Sequence, residues 1–262
     1  MTSENIIRQI SSLKKQSKRV YSNSHIIFSK YPNAEWEVRE SEKSLVVIIS
    51  ERVIKRLIFY TVDFSDLKSC IKPLKGAMVI EVVSKGNNDM KEYIENMGFE
   101  KYMTQARISC EDISAVFKSE SSVIQYFDST IGCMAKEIDC NQINELLWDV
   151  FDTKSSHLKS DEELLEQIRR KEFYIHKNHE NQIDMLIQCI ISPKSFYFNQ
   201  VINNGEKKYF HAMILNVLKK YVNQGGRYVY AWVNVGNIAS FKMFEKYTLV
   251  RDGVYNEIYF RS

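Results

Sequence analysis

The sequence predicts an α/β (α+β) protein built on mixed, mostly antiparallel sheets flanked by helices. Three observations predict it. Apolar runs of strand length alternate with amphipathic runs of helix length along nearly the whole chain. Only three prolines and nine glycines interrupt 262 residues, so no long linker is expected. The length exceeds one average domain, and a hydrophobic content of 44% suffices to pack more than one core. Two domains are therefore expected, 1–125 and 126–262.

Taken in order, Ile6, Ile7, Ile10 and Leu13 recur at helical spacing within the first 35 residues, and the basic run KKQSKR that follows is expected on a solvated side rather than as a nucleic-acid arm. From Trp36 the runs WEVRE, SLVVIIS and RLIFYTV are rich in β-branched and aromatic residues and read as an antiparallel meander. DFSDLKSCIKPL reads as a short helix, AMVIEVV as a buried strand, and NNDMKEYIENMGFEKY as a helix ended by Gly98, whose lack of Cβ suits the left-handed cap. YMTQARISC closes the segment as a strand, and residues 111–130 read as a connector with some helix.

The second half opens with a short strand in MAKEID. Asp139 is expected to cap the helix NQINELLWDVF, with Gln142 three positions on, and Ser160 with Glu163 forms a capping box for the next helix. The strands EFYIHKN, QIDMLIQCII and SFYFNQVI follow, then a helix from the KKYF run, the strand RYVYAWVNV, the helix ASFKMFEKY, and a strand pair, LVRD and YNEIYF, around Gly253. The order is β-α-α-β-β-β-α-β-α-β-β.

Charge is nearly balanced, 36 basic against 33 acidic residues, which gives no reason to expect a nucleic-acid partner. No apolar run nears the ~20 residues a bilayer crossing needs, and the N-terminus lacks the apolar core of a signal peptide. The expectation is a cytoplasmic protein without a membrane partner. Five cysteines at scattered positions without C-x-x-C spacing point to reduced thiols rather than disulfides or zinc.

The stretch VINNGEKKYFHAMILNVL, Val201 to Leu218, carries the functional question. A helix start presents unpaired N–H groups and the positive end of a dipole, which suits a diphosphate. The alternative is an ordinary strand-to-helix connection.

The tail AWVNVGNIASFKMFEKYTLVRDGVYNEIYF resembles the GNAT acyltransferase superfamily, whose corresponding helix begins N-x-x-[AS]; Asn237, Ser240, Phe244, Glu245 and Lys246 stand at matching offsets. The opening stretch aligns without a gap to that family's phosphate turn. Val201 takes the strand valine, Asn203 the proline, Glu206 the arginine or glutamine, and Ile214 with Leu215 the apolar pair. Lys207, Tyr209 and His211 stand where the family has glycines, so the turn is degenerate. A fainter likeness, AMVIEVVSKGNNDMKEYIENMGFEKYMTQARI, marks the first half as an incomplete copy without a phosphate turn. Two GNAT-like domains in tandem result.

The resemblance implies transfer of an acetyl or other acyl group from acyl-CoA, as co-substrate, to a primary amine, with no metal. The residues it assigns to the cofactor are Gln200, Val201, Glu206, Lys207, Lys208, Tyr209, Phe210, His211, Ala212, Asn237, Ser240 and Phe244. Strands FYFNQVI and RYVYAWV are expected to splay so that the pantetheine adds as a strand, with amides near Gln200 and Val201 polarising the thioester carbonyl. A base must take a proton from the ammonium, and Asp184, His176 and Asn199, the last by holding water, are the candidates. Phe244 stands where relatives place a proton-donating tyrosine; Tyr247, three residues on, is the substitute candidate. His176 and His179 in HKNH fit a polar turn better than a metal pair. Two rival readings stay open: a noncatalytic module that binds acyl-CoA, an acyl carrier protein or a peptide, and an interaction scaffold.

Overall fold

The computed structural model describes residues 3–23, 36–51, 53–118 and 123–262. Its strands form mixed, mostly antiparallel sheet flanked by helices. Parts of the first 35 residues and residues 119–122 of the connector lie outside the described residues. Two compact units emerge. The first comprises the chain up to Thr104 with Thr153–His157 and Val254–Ser262; the second comprises Gln105–Asp152 and Leu158–Gly253.

In the first unit, α1 (Ser3–Gln16) buries Ile6 and Leu13 and leaves Ile7 exposed, so the predicted apolar stripe is narrower than its four residues. Lys14 and Lys15 sit in its exposed last turn. The meander is β2 (Trp36–Glu40), β3 (Ser44–Glu51) and β4 (Ile54–Thr61), with the two-residue β1 (Tyr21–Ser22) paired antiparallel to β4. Helix α2 (Phe64–Ile71) leads to β5 (Met78–Lys85), which starts parallel to β4 through Lys55↔Met78 and Arg56↔Val79. Helix α3 (Lys91–Asn96) ends before Gly98, whose φ of 86° is the left-handed cap expected of it. The core packs Phe59, Leu67, Ile80, Ile94 and Phe99.

The second unit takes β6 (Glu100–Cys110) from Gln105 onward. It then runs through two short 3-10 turns, Ile113–Phe117 and Ile124–Tyr126, in the connector. There follow β7 (Cys133–Met134), α4 (Cys140–Val150), α5 (Asp161–Arg169), β8 (Phe173–Lys177), β9 (Ile183–Ile191), β10 (Phe196–Asn203), α6 (Lys207–Asn223), β11 (Val229–Asn234) and α7 (Ile238–Glu245). Within this unit the strand order is β6-β11-β10-β9-β8-β7. One face packs Ile143, Leu147, Leu164 and Ile168 of α4 and α5 on Ile175, Leu186 and Ile202. The other face takes α6, whose Phe210, Met213 and Ile214 are buried.

Two local readings are corrected. LVRD and YNEIYF are not a strand pair but one strand, β12 (Val250–Arg261): Gly253 takes φ 80° inside the ladder without reversing the chain. Its residues from Val254 pair antiparallel with β5 in the first unit. Asp139 does not cap α4. Its backbone is already helical, and its carboxylate turns back to accept from the Lys136 amide (2.8 Å) and pair with Lys177 (2.6 Å). Gln142 instead accepts from the Ile183 amide at 3.1 Å. At Ser160 both bonds of the predicted capping box form.

Candidate functional site

The site begins where two parallel strands part. β10 and β11 pair only from Phe196↔Val229 to Phe198↔Ala231, yet β10 continues to Asn203 and β11 to Asn234. Each is held on its outer side throughout, β10 by β9 as far as Asn203↔Met185 and β11 by β6 as far as Asn234↔Gln105. Strands anchored outward while unpaired inward leave a wedge whose β10 edge carries ladder groups without a partner from β11. At the apex the register slips between Phe198 and Gln200, a bulge that re-aims the side chains there. Asn199 donates through Nδ2 to Gln188 Oε1 at 2.7 Å; Gln200 is buried and Val201 half-buried.

At the open end of β10 the chain turns through Asn203 and Gly205 into α6. Glu206 is the N-cap residue, extended, and no side chain caps the helix, so the amides of the first turn at Lys207, Lys208 and Tyr209 point outward; the first to close an intrahelical bond is Phe210, to Glu206 O at 3.1 Å. Lys207 and Lys208 are exposed beside them. Lys208 pairs with Glu206 at 3.1 Å and lies over the Tyr209 ring, and Glu206 first, then Tyr209, hold its ammonium above the ordinary lysine value. The Tyr209 ring leans toward β8, stacked on His176 at 5.6 Å and 17°, rather than toward β11. His176 in turn bonds Asp184 Oδ1 through Nδ1 at 2.7 Å. Gly205 seats the turn on this dyad, since a Cβ there would run into Met185 Cε and Asp184 Oδ2.

The first unit repeats strand, parting and helix with one difference. β4 and β5 part after Arg56↔Val79, and α2 follows β4. Here Asp63 caps the helix, accepting from the Ser65 and Asp66 amides, and Asp66 adds a second carboxylate in the first turn. Phe64 stacks on Tyr93 at 4.0 Å and 5°, and both line a groove of about 550 Å³ at this helix start. Carboxylates at that helix start repel an anion, so of these two corresponding helix starts the one at α6 is the open one.

The remaining sequence-predicted residues fall into separate groups. Asn237 caps α7 by accepting from the Ser240 amide at 3.0 Å, and Phe244 packs on Phe198 beside the apex with ring centroids 5.3 Å apart. Phe210 and Ala212 face the core of α6. His211 is buried, stacked on Tyr126 and bonded through Nδ1 to the Tyr247 hydroxyl at 2.5 Å. Burial raises the Tyr247 phenol beyond the tyrosine range, so it stays protonated. Thus Asn199 and Gln200 stand at the apex, while Asp184, Tyr209, Lys207 and Lys208 gather at the helix start. The strand register puts Asp184 opposite Asn204, about five residues up β10 from Asn199, on the order of 15 Å.

Gln188 and Gly205 are contributors that sequence reasoning missed. A strand glutamine carries no sequence signal, and Gly205 is a turn glycine whose packing partner, Asp184, lies on another strand. His176 and His179 diverge, the first half-buried on β8 and the second 89% exposed beside Glu180. Among the described residues no group of three or more His, Cys, Asp or Glu could hold a metal ion, and none of the helices is long and apolar enough to cross a membrane.

No family model matches the chain, and no curated protein matches it. Solved structures do. A GCN5-related N-acetyltransferase from Sphaerobacter thermophilus is 9% identical, with 90% of this chain and 84% of that one covered at a TM-score of 0.61. A tandem GNAT protein from the clavulanic acid biosynthesis pathway is 9% identical, with 88% and 83% covered and a TM-score of 0.55. A conserved protein of unknown function from Enterococcus faecalis V583 is 8% identical, with 100% and 71% covered and a TM-score of 0.57. At such identities the likeness is one of fold, and the fold is that of the GNAT acetyltransferases.

Proposed function

We propose that the second unit is a GNAT-type N-acyltransferase that moves an acetyl or other acyl group from acyl-CoA to a primary amine. The observation that carries this reading is the pairing of a strand wedge with an uncapped helix start at its mouth, on the same strand, β10. Residues at the mouth fit a diphosphate: open amides at Lys207, Lys208 and Tyr209, two lysines, and a Tyr209 ring turned aside onto His176. The unpaired edge of β10 fits an amide-bearing chain added as a strand.

Bound there, an acyl-CoA would supply the activated thioester. The chain's own part is to orient and to handle protons. The bulge between Phe198 and Gln200 interrupts the ladder at the apex, where backbone N–H groups turned into the wedge would stabilise negative charge developing on a carbonyl oxygen. Asn199, its Nδ2 held by Gln188, keeps Oδ1 to accept from the incoming amine or from the water that takes its proton. The amide orientation follows from this hydrogen bond. Asp184 holds the His176 ring beside the helix start, where it keeps the Tyr209 ring stacked aside from the open amides. Tyr247 contributes by fixing His211, and with it the first turns of α6.

One observation favours a second reading, a noncatalytic module that binds acyl-CoA, an acyl carrier protein or a peptide. Phe244 packs its ring beside the apex, where a phenyl group has no proton to give, and the nearby Tyr247 hydroxyl is buried against His211. Calorimetric titration with acetyl-CoA, followed by thiol release over an amine panel, separates the two. Binding with release is the expected result; binding without release transfers the case to the module, and no binding to any thioester overturns the transferase and the acyl-CoA form of the module.

A further inference from the structure

Across the apex of the wedge the sheet carries a row of polar side chains that the transfer chemistry leaves unused. One position beyond Phe198↔Ala231, the last pair of β10 and β11, stand Asn199 and Trp232. Trp232 pairs in turn with Arg107 on β6, as Tyr230 pairs with Ser109. Paired residues share a face of the sheet. This is the face of the stacked Tyr197 and Tyr230 rings, opposite to the one where Phe196 meets Tyr221 of α6 and Phe198 meets Phe244 of α7. The tyrosine rings cover one another, and the polar row beside them is what this face offers a ligand.

Arg107 is the cation of the row. Its Nε donates to Asp252 Oδ2 at 2.6 Å, and the Ser109 hydroxyl donates to the same oxygen at 3.0 Å. Asp252 stands among the first residues of β12, which belong to the second unit. A guanidinium held through Nε keeps its Nη1 and Nη2 fork, and among the described residues no acceptor takes those N–H groups. The side chain is 31% exposed, so the fork is open to a ligand. Its charge also bears on the Tyr230 phenol, which burial and then Tyr228 raise and Arg107 draws back, so the phenol beside the fork stays protonated and can donate. An excess of donors suits an anion, and a planar fork suits a carboxylate, which it meets with two parallel bonds.

The diphosphate has its own place on the other face. Ile175 faces α4 and α5, so His176, the next residue of β8, faces away from them and carries the Tyr209 ring at the start of α6. An anion on the Arg107 side therefore belongs to the other substrate. From β6 across β11 to β10 is two strand spacings, roughly 10 Å. With a hydrogen bond at each end, a molecule that gives its nitrogen to Asn199 and its anion to Arg107 has the two groups several bonds apart rather than on one carbon.

We infer that the acceptor is a primary amine that carries a carboxylate several bonds away, with Arg107 binding the carboxylate, Asp252 positioning the fork and Asn199 Oδ1 receiving the amine. This deepens the acyltransferase reading and rests on it for the chemistry, while the binding it requires can be measured without any thioester.

The test is calorimetric titration of the full chain with ε-aminocaproate and with its amide, ε-aminocaproamide, which share the amine and the chain length and differ in the carboxylate charge. The acid is expected to bind about fivefold to twentyfold tighter, less than a buried pair would give because the guanidinium is partly exposed and Asp252 already balances it. Arg107→Gln should lower the affinity for the acid to that for the amide. Arg107→Lys, which retains the charge but not the fork, should retain part of the preference. Far-UV circular dichroism and acetyl-CoA affinity equal to the parent's show that the fold persists in both variants. Equal affinities of the parent for acid and amide, with coenzyme A present or absent, or a preference that survives Arg107→Gln, overturns the inference. Absence of acetyl-CoA binding to the parent while the preference for the acid stands would strike the acyltransferase reading alone.

Discussion

Nδ1 of His211 lies 2.5 Å from the phenolic oxygen of Tyr247, and both side chains are buried. Burial first, and then the charges of Lys246 and Lys207, hold the His211 imidazole below its ordinary value, so it is neutral in the folded protein. A neutral ring with Nδ1 accepting from the phenol ties the second turn of α6 to the chain that follows α7.

That bond predicts a pH-dependent loss of stability. The folded pKa of His211 is depressed, so the unfolded chain binds the proton more readily. The contribution is complete above about pH 6.5 and declines as the pH falls below that unfolded value. Tyr247→Phe removes the donor and leaves a buried nitrogen unpaired, at a cost of about 1–3 kcal/mol. Chemical denaturation of the parent, Tyr247→Phe and His211→Gln from pH 7.5 to 5 checks both statements. An acid slope unchanged in His211→Gln would remove His211 as its source. A Tyr247→Phe variant as stable as the parent but slower in thiol release would make the phenol a proton donor instead.

The lysines at the helix start predict a charge effect on ligand affinity. Lys207→Glu with Lys208→Glu replaces two cations by two anions beside amides that no side chain caps. Each charge-assisted contact to a phosphate is worth roughly 1.5–3 kcal/mol, so losing two should lower acetyl-CoA affinity by about a hundredfold or more. The parent's affinity should also weaken with added salt, since these groups are exposed. Calorimetry at two ionic strengths measures both effects. An unaltered dissociation constant takes the lysines out of the site.

Much of this architecture was legible because local chemistry and tertiary packing agree. Ser160 and Glu163 are three residues apart, and their box closes within one turn whatever lies nearby. WEVRE, SLVVIIS and RLIFYTV become strands for the same reason. Where a distant partner outbids the local one, the sequence misleads. Asp139 has the side chain of a cap, but Lys177, 38 positions away, and the Lys136 amide take its oxygens. The wedge was legible as a consequence of family likeness, while the dyad of His176 and Asp184, the seat of Gly205 on it, and the Gln188 that steers Asn199 depend on strand register, which no local pattern encodes.

In the first unit a buried charge cluster sets a second pH dependence, at lower pH. Burial pushes the Glu51 carboxyl upward, but the hydrogen bond and charge of His157, then those of Arg56, outweigh it and bring it down to about 2. A depressed carboxyl contributes stability that is fully present above its ordinary value of about 4.5 and is lost as the pH falls from there toward 2. Glu51→Gln should flatten the unfolding free energy over that interval and leave it lower at pH 7. An acid limb as steep as the parent's would assign it to other carboxylates.

Arg56 stands at the centre of that cluster, 3% exposed, and its donors are fully engaged. Nε donates to Glu51 (2.5 Å), Nη1 to Glu81 (3.0 Å) and the Lys154 carbonyl (3.2 Å), and Nη2 to the carbonyls of Thr153 (2.7 Å) and Ser156 (2.9 Å). His157, which follows, meets Glu51 and Glu81 with its two ring nitrogens at 3.0 and 2.8 Å. One planar guanidinium therefore anchors Thr153–His157, a segment far away in sequence, to the strands of its own unit. A lysine retains the charge but not the fork, so Arg56→Lys is not conservative here. It should approach the cost of breaking a buried ion pair, roughly 3–5 kcal/mol, and Arg56→Met should cost at least as much because it leaves Glu51 and Glu81 without their cation. Urea denaturation measures the loss. Limited trypsin digestion under native conditions should cut Arg56→Lys after Lys154 several times faster than the parent, because the five-residue segment has lost its anchor while the rest of the fold persists. Cleavage at the parent's rate, with stability unchanged, would mean that other contacts hold the segment in place.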